Sequence, residues 1–216
     1  MNQSLDLLSI VIQIAIVLIA LTIHEAAHAW TADKLGDPTA RLLGRVSLNP
    51  VVHIDPIGTI LLPLIAAWSN FPIIGWAKPV PVNTSRFRHP RQSFMVVAAA
   101  GPISNLLQAV AAALVLHVIV PEGRNVTWMI GDGSILAFVL ANVVAINVFL
   151  ALFNLIPVPP LDGGNVLAGL LPPGGARVIE TIRPFGFIVL YALMFTGVLS
   201  ALVVPPAFFL VRTLLP

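Results

Sequence analysis

The sequence predicts an all-α polytopic membrane protein: a three-helix core, a C-terminal helix or helices, and a small re-entrant or edge-strand segment between the first and second core helices. Two observations carry that expectation. Of the 216 residues, 58% are hydrophobic and 9% charged, with a mean hydropathy of +0.98, whereas a soluble domain carries about 25% charged residues to cover its surface. Apolar stretches also recur near the ~20 residues that a helix needs to cross a bilayer, leaving room for about four to six spans and for no second soluble domain. The net charge of +2 and pI of 9.7 reflect basic loops beside a membrane and do not point to nucleic acid. Cysteine is absent, so disulfides and thiolate ligands are excluded, and any bound metal must use nitrogen and oxygen donors.

The first span runs from about Leu7 to Ala32. Met1 to Ser9 contains Asp6 and no Lys or Arg, so it lacks the basic region of a cleavable signal. Ile57 to Trp68 is apolar but short, with Pro63 in its interior, and reads as re-entrant or interfacial rather than crossing. Gly75 to Val82 reads as extended, since Pro79 and Pro81 suit an edge strand and forbid a central one. The second span covers about Ser93 to Val120 and the third about Ser134 to Ile156, ending at the proline run Pro157-Val158-Pro159-Pro160. Pro172-Pro173-Gly174-Gly175 reads as a turn, Phe185 to Val203 as a fourth span, and Pro205 to Pro216 as a tail too short to cross alone. Residues 1–171 then form the core, and 172–216 a C-terminal transmembrane region of the same membrane domain.

Charge sets the topology. Lys34, Arg41, Arg45, Lys78, Arg86, Arg88 and Arg91 lie between the first and second spans, Arg124 alone between the second and third, and Arg177 and Arg183 between the third and fourth. The positive-inside rule puts the first and third of these segments in the cytoplasm and the N-terminus outside. His24 is then roughly 25 Å into the first span, toward its cytoplasmic end. The third span delivers Asp162 to that same side.

The first span carries His24-Glu25-Ala26-Ala27-His28. Ionisable residues at membrane depth are costly and mark function, and H-E-x-x-H on a helix is a zinc-hydrolase signature. Residues four apart share one helix face, so both imidazoles can grip one ion. Glu25, one step round, falls beside the water that zinc acidifies, the place of a general base. A third protein ligand is needed. The candidates are Asp162, Asp55, His53, His89, His117 and Glu180. Asp162, in apolar surroundings and followed by two glycines, needs a cationic partner and is favoured. His53 with Asp55 is its main rival, and a turn held by local hydrogen bonds is the other reading of that pair.

These pieces resemble the site-2 protease family of intramembrane zinc metalloproteases. The matching residues are the His24–His28 motif, Ala100-Gly101-Pro102-Ile103-Ser104-Asn105 on the second span, and Asn154 to Gly164 around Asp162 after the third. The resemblance implies one Zn²⁺ per chain held by His24, His28 and Asp162, with Glu25 as catalytic base. It also implies hydrolysis of peptide bonds in or near the transmembrane helices of membrane-protein substrates. Gly75 to Val82, with Trp76, Val80 and Val82, is by the same resemblance an edge strand that pairs with an unwound substrate. The partners expected are a transmembrane protein substrate and the lipid bilayer, with no nucleic acid, in a multi-pass protein of the cell membrane.

Gly101, Asn105, Gln108 and Ala112 recur at helical spacing, as do Asn147, Ala151 and Asn154. Close packing through small residues accounts for such stripes. The functional alternative is that Asn105 or Asn154 holds substrate backbone or supports a ligand. Two rival functions fit the same residues, a membrane metal-handling protein without hydrolysis and an inactive scaffold of the same fold.

Overall fold

The computed structural model describes residues 7–69 and 75–216, so Met1 to Asp6 of the N-terminal expectation lie outside the described residues. Three long helices form the core: α1 (Leu7–Lys34), with the short α2 (Thr39–Leu42) and α3 (Leu62–Ser69) after it, then α4 (Pro90–Ile119), and, beyond α5 (Val126–Gly131), α6 (Ile135–Asn154). All three are long and apolar enough to cross a membrane. Proline opens α4 at its first turn, where the missing N–H costs nothing, and Ser134 caps α6 by accepting from the Ala137 amide at 3.2 Å. Helix α4 is the central member and packs against both α1 and α6. Its Ala109, Ala112 and Ala113 are buried against Val144 and Val148 of α6. Side chains this small bring two backbones close enough for dense contact, which drives helix association where water supplies no hydrophobic force.

Residues 56–69 are helical, a wider turn over Pro56–Leu61 leading into α3. Asp55 starts this piece, its Oδ1 accepting from the amides of Ile57 (2.9 Å) and Gly58 (2.8 Å). Fourteen residues rise roughly 21 Å, short of the ~30 Å hydrocarbon core. Residues 75–83 lie outside any helix or sheet, with the alternate residues Trp76 and Lys78 bonding the same neighbouring segment as in an extended chain, and no strand occurs among the described residues. The edge-strand expectation therefore holds for the backbone shape and fails for the ladder. The amides of Trp76 and Lys78 bond Gly58 and His53, which lie in short helical turns, so no second strand is present beside the segment.

The C-terminal part departs further from expectation. After α7 (Asp162–Leu170), Pro173 does not make a turn but opens α8 (Pro173–Ile182), which continues through 183–185 into α9 (Gly186–Phe195). The fourth apolar stretch long enough to cross is thus Pro173–Phe195, not 185–203. It stops at Gly197, whose φ of +76° is left-handed and ends a helix. The remaining residues form α10 (Val198–Leu214), a 17-residue helix that carries Pro205 and Pro206 inside it and buries Val203 and Ala207. The supposed tail is therefore part of the bundle, its Pro216 carbonyl accepting from the Val126 amide at 3.2 Å.

Asp37 ties the end of α1 to the extended segment. It is fully buried; its Oδ1 accepts from the Thr39 hydroxyl (2.5 Å) and amide (3.1 Å) and its Oδ2 from the Asn83 amide (2.6 Å). Burial by itself would push this carboxyl up, but these hydrogen bonds and the nearby Arg86 bring it below the ordinary carboxylate range. A carboxyl depressed by folding contributes stability above its unfolded pKa of about 3.9, and that contribution disappears as pH falls through the folded value. Asp37→Asn is expected to cost about 1.5–3 kcal/mol at neutral pH. Melting curves in detergent should show the gap to wild type closing as the pH drops below about 4; a gap that persists in acid would contradict the assignment.

Candidate metal centre

His24 and His28 lie on the α1 face turned toward α4, and both are buried. The His24 Nδ1–H donates to Asn105 Oδ1 at 2.6 Å, and the His28 Nδ1–H donates to the Val97 carbonyl at 2.7 Å. With the proton held on Nδ1, each ring presents a bare Nε2 lone pair to the same point. The two Nε2 atoms are 3.0 Å apart, and Asp162 Oδ2 is 3.1 Å from the first and 3.3 Å from the second. Asp162 Oδ2 is buried with no hydrogen-bond donor. Three acceptors facing one another without a proton between them repel unless a cation sits among them. Ligands about 2.0–2.1 Å from a tetrahedral zinc lie about 3.3 Å apart, so the donor triangle has the size and chemistry of a zinc site with an open fourth position.

Supporting structure fixes this triangle. Asn105 is fully buried and its amide donates to Asn147 Oδ1 at 2.7 Å, while Asn147 donates to the Val143 carbonyl at 3.0 Å. The chain Val143–Asn147–Asn105–His24 therefore orients both amides and one imidazole across α6, α4 and α1. Gly101 is the closest approach of α4, since a Cβ there would meet His28 Nε2 and His24 Cε1. Of the two small-residue stripes, Gly101, Asn105 and Asn147 serve the centre. Gln108 turns to the Ser104 carbonyl of its own helix, and Asn154 to that of Leu150.

Asp162 reaches the site from the first turn of α7. The chain leaves α6, crosses the proline run, whose Pro159–Pro160 bond is cis, and turns back. Gly163 makes the turn possible, because a Cβ there would collide with the Leu155 carbonyl. The far end of α7 is held by Arg91, whose Nε and Nη2 donate to the carbonyls of Ala168 (2.9 Å) and Gly169 (3.0 Å). Arg91 thus satisfies carbonyls that the end of a helix leaves open and anchors the element bearing Asp162 to α4. The sequence shows Arg91 only as one more loop cation.

The other candidates lie elsewhere. His53 is buried, but its Nε2–H donates to the Ser47 carbonyl at 2.8 Å and its Nδ1 faces Arg45 Nη2 at 3.5 Å. Asp55 caps residues 56–61. His89 and Glu180 are exposed, and His117 bonds the Ala113 carbonyl within α4. The only described group of three or more such side chains able to share an ion is His24, His28 and Asp162.

The centre opens into a cavity of about 620 Å³. Glu25 lines it beside the donor triangle, and Asn154 borders it as well. Its opposite wall is the extended segment, with Trp76, Ala77, Pro79, Val80 and Val82. Trp76 packs against Phe187 of α9 with ring centroids 5.6 Å apart, which joins that wall to the C-terminal helices. On its far side the segment is fastened to residues 45–59. The Trp76 amide donates to the Gly58 carbonyl (3.2 Å) and the Lys78 amide to that of His53 (2.9 Å). Thr59 Oγ1 donates to the Trp76 carbonyl (2.9 Å) and Arg45 Nη2 to that of Lys78 (2.5 Å). The role of the region around His53 and Asp55 is therefore to fasten this wall of the cavity.

Residues 129–196 match the model of peptidase family M50. That stretch includes Asp162 and ends before α10. The Bacillus subtilis (strain 168) protein named "Putative zinc metalloprotease YwhC" is 39% identical over 179 residues, 83% of this chain and 78% of that one. The proteins named "Putative zinc metalloprotease Rip2" from Mycolicibacterium smegmatis and Mycobacterium tuberculosis (H37Rv) are 30% and 28% identical over 184 residues, 85% of this chain and 66% of theirs. No solved structure matches the chain significantly.

Proposed function

The chain belongs to peptidase family M50, the site-2 proteases, and from that premise we propose that it is an intramembrane zinc endopeptidase acting on transmembrane protein substrates. The observation that carries this reading is the donor triangle of His24, His28 and Asp162, three potential ligand atoms 3.0–3.3 Å apart beside a cavity that also holds Glu25.

In this proposal His24, His28 and Asp162 hold one zinc ion. When bound, the ion supplies Lewis-acid chemistry, acidifying water and polarising a peptide carbonyl. Glu25 takes the proton from the attacking water and returns it to the departing amine nitrogen as the C–N bond breaks. Asn105 keeps His24 in the tautomer that leaves Nε2 free to coordinate. A helical substrate hides its amides and carbonyls in its own hydrogen bonds, so a segment must unwind before it reaches the centre. The extended wall from Trp76 to Val82 offers it replacement hydrogen bonds. The loop charges orient the protein with its N-terminus outside and the centre toward the cytoplasmic face.

The test is metal analysis of the purified protein together with co-expression of single-span membrane substrates. The expected result is about one zinc per chain and fragments cut within or next to the span, both lost on chelation and restored by zinc. Protein that holds no zinc, or cleavage indifferent to chelation, refutes the proposal.

A further inference from the structure

The extended wall of the cavity presents an uneven set of hydrogen-bonding groups. On the side away from the cavity, both polar backbone groups of Trp76 and both of Lys78 are consumed by Gly58, Thr59, His53 and Arg45. In an extended chain the N–H and C=O of successive residues point to opposite sides. The groups of Ala77 and Pro79 must therefore point the other way. Ala77 and Pro79 line the cavity, as do the side chains of Trp76 and Val80, while Lys78 does not, and none of the backbone groups of Ala77 and Pro79 has a partner among the described residues. Ala77 offers one N–H and one C=O, whereas Pro79 offers a C=O and no N–H.

We infer that a substrate strand is read at this wall through its own amide hydrogens, with two of them, two residues apart, donating to the carbonyls of Ala77 and Pro79 while one substrate carbonyl at most is bonded in return. This inference rests on the proteolytic reading of the centre and adds to it a rule for which backbone groups of the substrate matter. In an antiparallel pairing the substrate residue opposite Ala77 makes both bonds with it. The residue two along donates to Pro79, and its carbonyl meets the proline ring. Substrate side chains do not enter the rule, so it permits many sequences but penalises a missing N–H at either of those two positions.

The wall is held stiff enough to impose such a register. Arg45 is buried and has no carboxylate within ion-pairing distance among the described residues. Its Nη2 instead clamps the Lys78 carbonyl. Asp37 holds the Asn83 amide at the other end of the segment. Proline on a bare edge has a competing explanation, since it also blunts pairing with another chain. If that were its whole role, substrate amides opposite Pro79 would be immaterial to binding, and this difference can be measured.

The probe is a series of short Ala/Leu peptidyl hydroxamates, in which the hydroxamate ligates zinc and each amide N–H in turn is replaced by an ester oxygen. Binding to the zinc-loaded, full-length protein in detergent is followed by calorimetry. Two ester positions, two residues apart, are expected to weaken binding about fivefold each, with no loss at the position between them. Pro79→Ala restores the missing donor and is expected to tighten the parent compound about fivefold, with zinc content unchanged. A uniform ester scan beneath tight parent binding, or a Pro79→Ala variant with unaltered affinity, overturns the register. If zinc-loaded protein binds no hydroxamate at all, the proteolytic reading of the centre fails and takes this inference with it.

Discussion

Exchange of Glu25 for glutamine is expected to slow substrate cleavage by about 10²–10⁴-fold, the contribution typical of a positioned general base. Zinc content should be unaffected. Glu25 lines the cavity next to the donor triangle but is not a member of it, so the substitution leaves three ligands and the shape of the site in place. Glutamine matches glutamate in volume and keeps one carbonyl oxygen, but it cannot take up a proton at neutral pH. The measurement is a single-turnover rate on protein whose zinc has been quantified. Cleavage within a few-fold of wild type would remove Glu25 from the role of base, and loss of zinc would make it a ligand instead.

Asp162→Asn should act through the metal. Two neutral imidazoles and one carboxylate give an ion in these surroundings its single compensating negative charge, and an isolated charge at such depth is costly. Groups that merely support a ligand are worth 10–100-fold in metal affinity, so loss of a ligand charge is expected to cost at least about 100-fold, with activity falling in parallel. The fold should persist, because α7 keeps its glycine contacts with the end of α6 and its anchor at Arg91. Zinc titration of the variant, with melting as the control, separates the outcomes. Wild-type affinity would mean that the third ligand is another residue. Weakened zinc with an intact melt is the pattern the geometry requires.

Much of the core is legible in the chain because its signals are local. The apolar runs that become α1, α4 and α6 announce themselves by length, and the four-residue spacing of His24 and His28 is read directly from helix geometry. Asp162 is legible for a different reason: a carboxylate among prolines and glycines has no local partner, and so demands a distant one. The parts that escape are those decided by contacts far apart in sequence. Arg91 caps α7 across 78 positions, and nothing near it marks it out from Arg86 or Arg88. Asn147 looks like any amide in a small-residue stripe until Asn105 is seen to bond it. Arg45 and His53 look like loop residues or ligand candidates until they are found fastened to Lys78. At the C-terminus a fourth span is expected to run to Val203 with a tail after it, but the break falls at the left-handed Gly197, and Pro205 and Pro206 ride within α10.

The line of hydrogen bonds from Val143 through Asn147 and Asn105 to His24 passes through all three core helices. A half-inserted chain, with α1 in the bilayer and α6 still on the ribosome, lacks the amide that steadies one imidazole and lacks the aspartate altogether. It carries the hydrolase motif with no means of arming it. On the proposed reading, competence to cut thus waits for α7, the element after the trio that carries Asp162, so assembly of the whole core precedes any cleavage.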